Sequence, residues 1–363
     1  MPKSHLINVN VAPAAYDVVV EPGILAQLGE RARQLSSADK ICVVTDTNVA
    51  PRYLARVASA LQSHFEVLTC TLPAGENHKT LAAIAQIYDA FLPRGIDRNT
   101  PLLALGGGVI GDMTGFAAAT ILRGVPFIQV PTTLLAMVDA SVGGKTGIDH
   151  PCGKNLIGAF HQPIGVIIDP EVLLTLPRRE LVGGLAECIK HDIIRDAEHF
   201  AALPRLIADS LKCHLDTLVA LVAHNVAIKA RVVEADPFEK GERAHLNFGH
   251  TFGHTIEKVS QYQYSHGEAV ALGMIAAARL SNRLGLLPQN ELRAIEEVIA
   301  LAGLPRGGLD LDVDACMQAM VYDKKVSGRK MRFVLPERIG KAVILDNVLP
   351  EHVRDAMISL KGQ

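Results

Sequence analysis

The chain has 363 residues, of which 49% are hydrophobic and 20% charged, with 36 Lys plus Arg against 38 Asp plus Glu. At about 150 residues per domain this length predicts two domains, and the composition buries a large core, which excludes disorder as the main state. A net charge of −2 offers no nucleic-acid surface, so an anionic ligand has to be held by a local cluster of cations.

Short β-rich runs predict strands at 16–20, 41–45, 65–68, 102–105, 127–130 and 166–168. Several are apolar throughout, as in a parallel sheet buried on both faces. Between them, Leu81, Ile84, Tyr88 and Phe91 mark one apolar helix face, with Gly95 as its stop. Alternating strands and helices predict an α/β domain over 1–170. After Asp169-Pro170 the periodicity becomes mainly helical as far as Leu301, and Leu215, Leu218, Val222 and Ala223 form one such face. Segments 331–335 and 342–345 read as extended and pair as a hairpin around Gly340. A mainly α-helical domain is therefore expected over 171–363. The most apolar stretch, 115–138, is broken by Arg123, Pro126 and Pro131 and does not predict a membrane span. The N-terminus lacks the apolar core of a signal peptide, and the six cysteines form no CxxC pair. The expectation is a cytoplasmic protein with reduced thiols and no nucleic-acid or membrane partner.

The run at 102–105 enters Gly106-Gly107-Gly108-Val109-Ile110-Gly111-Asp112, in which Gly106, Gly108 and Gly111 fit GxGxxG and a helix-compatible segment follows. Such a turn lets the backbone approach a pyrophosphate and aims helix N–H groups at it. The acidic residue expected about 20 positions later is missing, so a plain strand–helix turn is the alternative. Thr45-Asp46-Thr47-Asn48 ends an apolar strand, where a carboxylate either accepts from ribose hydroxyls or makes an Asx turn or helix cap. Ser141-Val142-Gly143-Gly144-Lys145-Thr146 imitates a phosphate-binding loop, but Asp139 stands where that motif needs its first glycine. Lys145, Lys154 and Asn155 remain as candidates for anions or carbonyl oxygens, with solvated side chains as the alternative.

The densest chemical signal is Asn247-Phe248-Gly249-His250-Thr251-Phe252-Gly253-His254, followed by Ser265-His266-Gly267-Glu268. Upstream, Glu187, Lys190 and His191 stand at i, i+3 and i+4. Two imidazoles and a carboxylate with open positions form the pattern of a catalytic zinc site, although local spacing does not say which three groups bind. No HExxH is present, and Glu187 with Lys190 fits a helix ion pair equally well.

Further motifs run along the chain: Pro131-Thr132-Thr133-Leu134-Leu135-Ala136, Asp139-Ala140-Ser141-Val142-Gly143-Gly144-Lys145, Gly153-Lys154-Asn155 and Ala186-Glu187-Cys188-Ile189-Lys190. With the glycine loop and the histidine segments, they make the chain resemble the 3-dehydroquinate synthase family of sugar-phosphate cyclases over nearly its whole length. The resemblance implies an N-terminal NAD-binding α/β domain, a mainly helical C-terminal domain and an active site between them. It implies zinc, or cobalt in its place, on Glu187, His250 and His266, with His254 facing substrate or supporting a ligand. It implies NAD contacts from Asp46, Asn48, Glu76, Lys79, Gly107, Gly108, Val109, Ile110, Gly111, Asp112, Thr132 and Thr133. Substrate contacts would come from Asp139, Lys145, Asn155, Lys190, Lys229, Arg243, Asn247 and Lys324, with Lys145 also serving the NAD set and Lys154 lying between the two. The implied substrate is 3-deoxy-D-arabino-heptulosonate 7-phosphate, a small sugar-acid phosphate. The implied assembly is a homodimer in which Arg123 reaches the neighbour's substrate phosphate.

Cys188 and His191 flank the metal-site carboxylate where other residues are common in the family, and neither is expected to ligate. Lys324 and Lys325 are adjacent, and the sequence does not choose between them. A cyclase acting on another phosphorylated sugar would share the fold and cofactors, but Lys229, Asn247 and His254 match the dehydroquinate synthase pattern. A glycerol-dehydrogenase-like enzyme has no need for so many cations, and a non-catalytic NAD module has none for a metal site.

Overall fold

The computed structural model describes residues 4–12, 15–261, 263–310, 312–327 and 332–361, apart from the side chains of 322–327. The chain forms two compact units, Met1–Pro177 with Leu215–Phe238, and Arg178–His214 with Glu239–Gln363. The expected single boundary near 170 therefore meets a chain that leaves the first unit and returns to it once. Among the described residues, no helix is long and apolar enough to cross a membrane.

The strands of the first unit are β1 (His5–Val9), β2 (Tyr16–Val20), β3 (Lys40–Asp46), β4 (Glu66–Leu72), β5 (Leu102–Gly106), β6 (Phe127–Pro131), β7 (Lys145–His150), β8 (Gly153–Phe160) and β9 (Gly165–Ile168). Seven of them form one sheet in the order β1-β2-β9-β6-β5-β3-β4, parallel except for the β1–β2 pair. The central strands β5, β6 and β9 are buried along their whole length, as apolar runs covered on both faces must be. The edge strand β4 alternates buried and exposed positions, as a strand covered on one face does. Each of the six strands expected from the sequence is present. β1 and the separate β7–β8 hairpin are additional, and the hairpin occupies the segment read as a glycine-rich loop.

Helices α1 (Leu28–Leu35), α2 (Ala55–Gln62), α3 (Leu81–Phe91) and α4 (Gly108–Thr120) belong to this unit. The face expected from Leu81, Ile84, Tyr88 and Phe91 is that of α3. Two helices of the second unit come next, α5 (Arg178–Arg195) and α6 (Ala197–Ser210), before α7 (Leu215–Ala235) returns to the first. Helix α7 lays its apolar face, with Leu218 and Val222 fully buried, against β1 and β2. Glu234 near its end accepts from the backbone N–H of Asn10 at 2.7 Å.

The second unit continues with α8 (His250–Val259), α9 (His266–Arg283), α10 (Gln289–Leu301), α11 (Val313–Ser327), β10 (Phe333–Arg338), β11 (Lys341–Leu345) and α12 (Pro350–Ile358). The expected hairpin is β10–β11, turning at Gly340 with φ 86°; Met331 lies outside the described residues. Helix α9 is the hub of this unit and packs against α5, α8, α10 and α12. Its start is set by a reciprocal cap. Glu268 Oε2 accepts from Ser265 N at 2.8 Å, and the Ser265 hydroxyl accepts from Glu268 N at 3.4 Å. Arg179 then grips the same carboxylate through Nε at 3.0 Å and Nη2 at 2.7 Å.

Two glycines let α9 approach its neighbours. A Cβ on Gly273 would lie 2.0 Å from Gly249 O, and one on Gly267 would lie 2.4 Å from Gly183 Cα. The reverse addition is harmless, since a Cβ on Gly183 would meet Gly267 Cα at an ordinary 3.9 Å. Gly267→Ala is therefore expected to destabilise the protein by about 1–3 kcal/mol or more through overpacking. Gly183→Ala, inside α5, should be neutral or stabilising by up to about 1 kcal/mol through helix propensity. Equilibrium denaturation of the two variants checks this, and equal effects would contradict the packing described.

Candidate active site

Helix α5 carries Glu187 and Lys190, α8 carries His250 and His254, and α9 begins with His266. Glu187 is fully buried. Its Oε2 pairs with the buried Lys190 ammonium, while Oε1 faces both imidazoles, 3.6 Å from His250 Nε2 and 3.5 Å from His266 Nε2. The ring of His250 is set by its other nitrogen. Nδ1 lies 3.1 Å from Phe248 O, which can only accept, so Nδ1 carries the proton and Nε2 presents its lone pair. Burial, and then the Lys190 charge, pull the His250 pKa down to about 3, so the ring is neutral at physiological pH. Burial pulls His266 down too, but hydrogen bonds to Glu187 and Glu257 outweigh it and hold the ring up at about 10.

The donor atoms of Glu187, His250 and His266 lie within 4.8 Å of one another. Tetrahedral zinc with bonds of about 2.0–2.1 Å places its ligand atoms about 3.3–3.4 Å apart. The observed 3.5 and 3.6 Å separations fit that geometry, and one carboxylate oxygen with two imidazole nitrogens is a donor set that suits a divalent cation. The sequence left the choice of donors open, and the geometry groups these three. Cys188 is no competitor, because burial pushes its thiol well above the usual range.

Beside His250, the exposed His254 has its ring centroid 5.1 Å from that of His250. Elsewhere in this unit, Arg243 is buried in the helical turn Glu242–Asn247, which also carries Asn247. The Asn247 amide donates to Glu239 Oε1 at 2.6 Å. The side chains of Lys324 and Lys325 lie outside the described residues.

In the first unit, the glycine loop leaves β5 and opens α4, with Gly107 at the helix cap and Gly108 as first helical residue. Asp46 ends β3 and Thr132 follows β6, the strands on either side of β5. These candidates thus share the C-terminal edge of a parallel sheet, where such sheets bind ligands. Thr132 N donates to Gly106 O at 2.9 Å, joining two of the three segments. Thr133 accepts from Ala136 N at 3.1 Å. Asp46 Oδ1 accepts from the N–H groups of Asn48 and Val49 at 2.8 and 3.0 Å, so the Asx-turn alternative is realised by one oxygen of this carboxylate.

Lys79 links several of the other candidates. Its ammonium lies 2.6 Å from Asp112 Oδ2, 2.6 Å from Asn155 Oδ1 and 3.9 Å from Glu76 Oε1, and Lys154 lies 3.7 Å from the same Glu76 oxygen. Burial pulls the Lys79 pKa down, but Asp112 and Glu76 outweigh it and hold the ammonium above the ordinary lysine range. Asn155 takes a left-handed conformation with φ 54°, and its N–H is held by Asp149 Oδ1 at 2.8 Å. Lys145 opens β7 with its side chain exposed, so the imitation phosphate loop leads into a strand rather than a helix. Lys229, expected in the C-terminal domain, lies on α7 in the first unit and pairs with Asp139 Oδ1 at 2.5 Å. Arg123 is exposed in a turn where Leu122, Arg123 and Gly124 all have positive φ, at 51°, 66° and 117°. Consecutive non-glycine residues in that region cost about 1–2 kcal/mol each, strain of the kind that collects at functional positions.

Glu257 escaped the sequence reading. It is buried, and its Oε2 lies 3.4 Å from His266 Nδ1. Its position seven residues after His250, on the same face of one helix, was the available signal.

Residues 69–183 match the family model described as 3-dehydroquinate synthase N-terminal, and residues 184–326 match the one described as 3-dehydroquinate synthase C-terminal. A 3-dehydroquinate synthase of Nostoc punctiforme is 45% identical over 361 residues, covering 98% of this chain and 99% of the relative. Among solved structures, 2-epi-5-epi-valiolone synthase from Streptomyces hygroscopicus, with NAD+ and Zn2+ bound, is 30% identical with a TM-score of 0.89, covering 97% of this chain and 98% of that one. A 2-deoxy-scyllo-inosose synthase complexed with carbaglucose-6-phosphate, NAD+ and Co2+ is 25% identical with a TM-score of 0.88, covering 97% and 100%. Two adjoining family models spanning more than half of the residues, and a relative this similar from end to end, place the chain in the 3-dehydroquinate synthase family.

Proposed function

We propose that this protein converts 3-deoxy-D-arabino-heptulosonate 7-phosphate to 3-dehydroquinate and phosphate, as an NAD- and divalent-metal-dependent cyclase that is redox-neutral overall. The observation that carries the reading is the convergence of Glu187 Oε1 with the Nε2 atoms of His250 and His266, beside the buried ammonium of Lys190. Structural relatives that hold NAD+ with Zn2+ or Co2+ support the cofactor assignment.

Glu187, His250 and His266 hold the metal. When bound, the divalent cation lowers the pKa of a substrate alcohol and polarises the ketone formed from it, and NAD+ accepts a hydride and later returns it. Oxidation acidifies the neighbouring C–H, phosphate leaves by β-elimination, the ketone is reduced again, the ring opens and an intramolecular aldol step closes the carbocycle.

The chain's own residues have two tasks in this sequence. The first is to bind the dinucleotide. The N–H groups of Gly108, Val109 and Ile110 open α4 toward the pyrophosphate, with Gly107, Gly111 and Asp112 lining the same turn. Thr132, Thr133, Glu76, Lys79 and Lys154 flank it. Asp46 offers its second oxygen to a ribose hydroxyl, beside Asn48. The second task is to retain a substrate that carries both a phosphate and a carboxylate through every step. Lys145, Lys190, Lys229 and Arg243 supply the charge, and Asp139, Asn155, Asn247 and His254 supply directional hydrogen bonds. The protein works in the cytoplasm as a homodimer, in which Arg123 adds a cation at the neighbour's substrate phosphate. The strained turn that presents Arg123 supports that role.

The cycle separates this reading from that of an ordinary dehydrogenase. Phosphate should accumulate to many equivalents per enzyme with only catalytic NAD+, while absorbance at the nicotinamide band stays near its starting level. NADH building up in step with turnover would exclude the cyclase reading. Lys229→Met deletes one cation with little change of volume. It should lower kcat/KM for phosphate release by on the order of 10–100-fold, the loss of one charged hydrogen bond worth about 1.5–3 kcal/mol. NAD+ affinity and metal content should stay at wild-type values. Calorimetry showing a loss confined to NAD+ would remove Lys229 from the substrate set.

A further inference from the structure

We infer that Glu257 is a positioning residue for the metal centre, which aims His266 at the metal by holding the far side of its ring. The inference rests on the reading of Glu187, His250 and His266 as metal donors. An imidazole carries its nitrogens on opposite sides, so a group fixed behind one aims the other. His266 Nε2 points at Glu187 Oε1 at 3.5 Å, and Glu257 Oε2 stands 3.4 Å behind its Nδ1. The two imidazoles are held differently. His250 rests on the neutral carbonyl of Phe248, whereas His266 rests on a carboxylate, the stronger acceptor.

His266 is the donor that needs such support. It is the first residue of α9, and 32% of its side chain is exposed, against 11% for His250 and none for Glu187. Packing that fixes the His250 ring and the Glu187 side chain therefore leaves this one freer to turn. Glu257 itself is 3% exposed and sits two turns after His250 on α8. One helix thus supplies a donor and the brace for the donor on its neighbour, and the glycine contact between α8 and α9 fixes the distance between them.

His254, Glu257 and His266 also bring donor atoms within 4.8 Å of one another. In that arrangement Glu257 would ligate directly through the Nδ1 side of His266. The exposed His254 makes it a poorer cage than the one around buried Glu187, and the test distinguishes the two.

The full-length protein is stripped with chelator and titrated with Zn2+ against a chromophoric competitor, and its Co2+ form is read by visible absorption. Glu257→Ala should weaken Zn2+ binding by on the order of 10–100-fold and shift the cobalt bands. Glu257→Gln, which keeps an acceptor oxygen behind Nδ1, should lose less and keep the bands nearer wild type. The thermal midpoint of each metal-free variant separates a broken fold from a misaimed ligand. Should Glu257→Ala fail to fold, the near-isosteric Glu257→Gln still gives both readouts. Wild-type affinity and an unshifted cobalt spectrum in Glu257→Gln and Glu257→Ala alike would overturn the inference while leaving the metal reading intact. A wild-type protein that binds no Zn2+ would overturn both. Loss of metal in His254→Ala with retention in His250→Ala would make Glu257 a ligand and overturn its positioning role.

Discussion

Glu187 holds a carboxylate with no exposed surface, and an ionised group taken so far from water costs several kcal/mol unless charges and hydrogen bonds replace its hydration. The helical unit is organised around that requirement. Lys190, one turn along α5, brings an ammonium to one oxygen, and α8 and α9 bring an imidazole each to the other. Those rings can arrive only because α9 lies almost in backbone contact with α5 at Gly183 and with α8 at Gly249. Packing density and electrostatics are thus one problem here: the glycines that close the helices together also place the charges that make Glu187 tolerable.

The α/β unit shows the complementary case, a buried ammonium. Lys79 is enclosed by Asp112, Asn155 and Glu76, which keep it charged against the pull of burial. Its position explains how a turn made of three glycines can be well defined. Gly106, Gly107 and Gly108 have no side chains with which to anchor themselves. The start of α4 is tied instead, through Asp112 at its fifth residue and Lys79, to the β7–β8 hairpin that carries Asn155.

What the sequence discloses follows from how local each signal is. The central strands are legible because strands covered on both faces must be apolar, and the face of α3 is legible because its spacing has the helical period. β1 and the β7–β8 hairpin are not, since β1 is a short five-residue run that mixes polar and apolar positions and the hairpin is interrupted by Gly147, Gly153 and Gly158. The helical character of α7 is plain, but periodicity says nothing about which surface will cover it, and so Lys229 falls in a different unit from the one expected. Glu187, His250 and His266 stand out by residue type. Glu257 does not, because its relation to His266 exists only once two helices have packed.

The return of α7 has a consequence for how the protein is made. Strands β1 and β2 are synthesised well before the helix that covers them, which ends at Ala235, after two helices of the other unit. The α/β unit therefore cannot close its core before part of the helical unit has been made. A nascent chain paused near residue 177 holds a sheet with part of one face bare, a surface that invites association with other chains or with a chaperone. Contacts spanning some two hundred residues also favour slow folding, because a long loop must close before the contacts reward it. A fragment cut at the first crossing between units would carry the glycine loop and Lys79 but expose the apolar floor on which α7 rests.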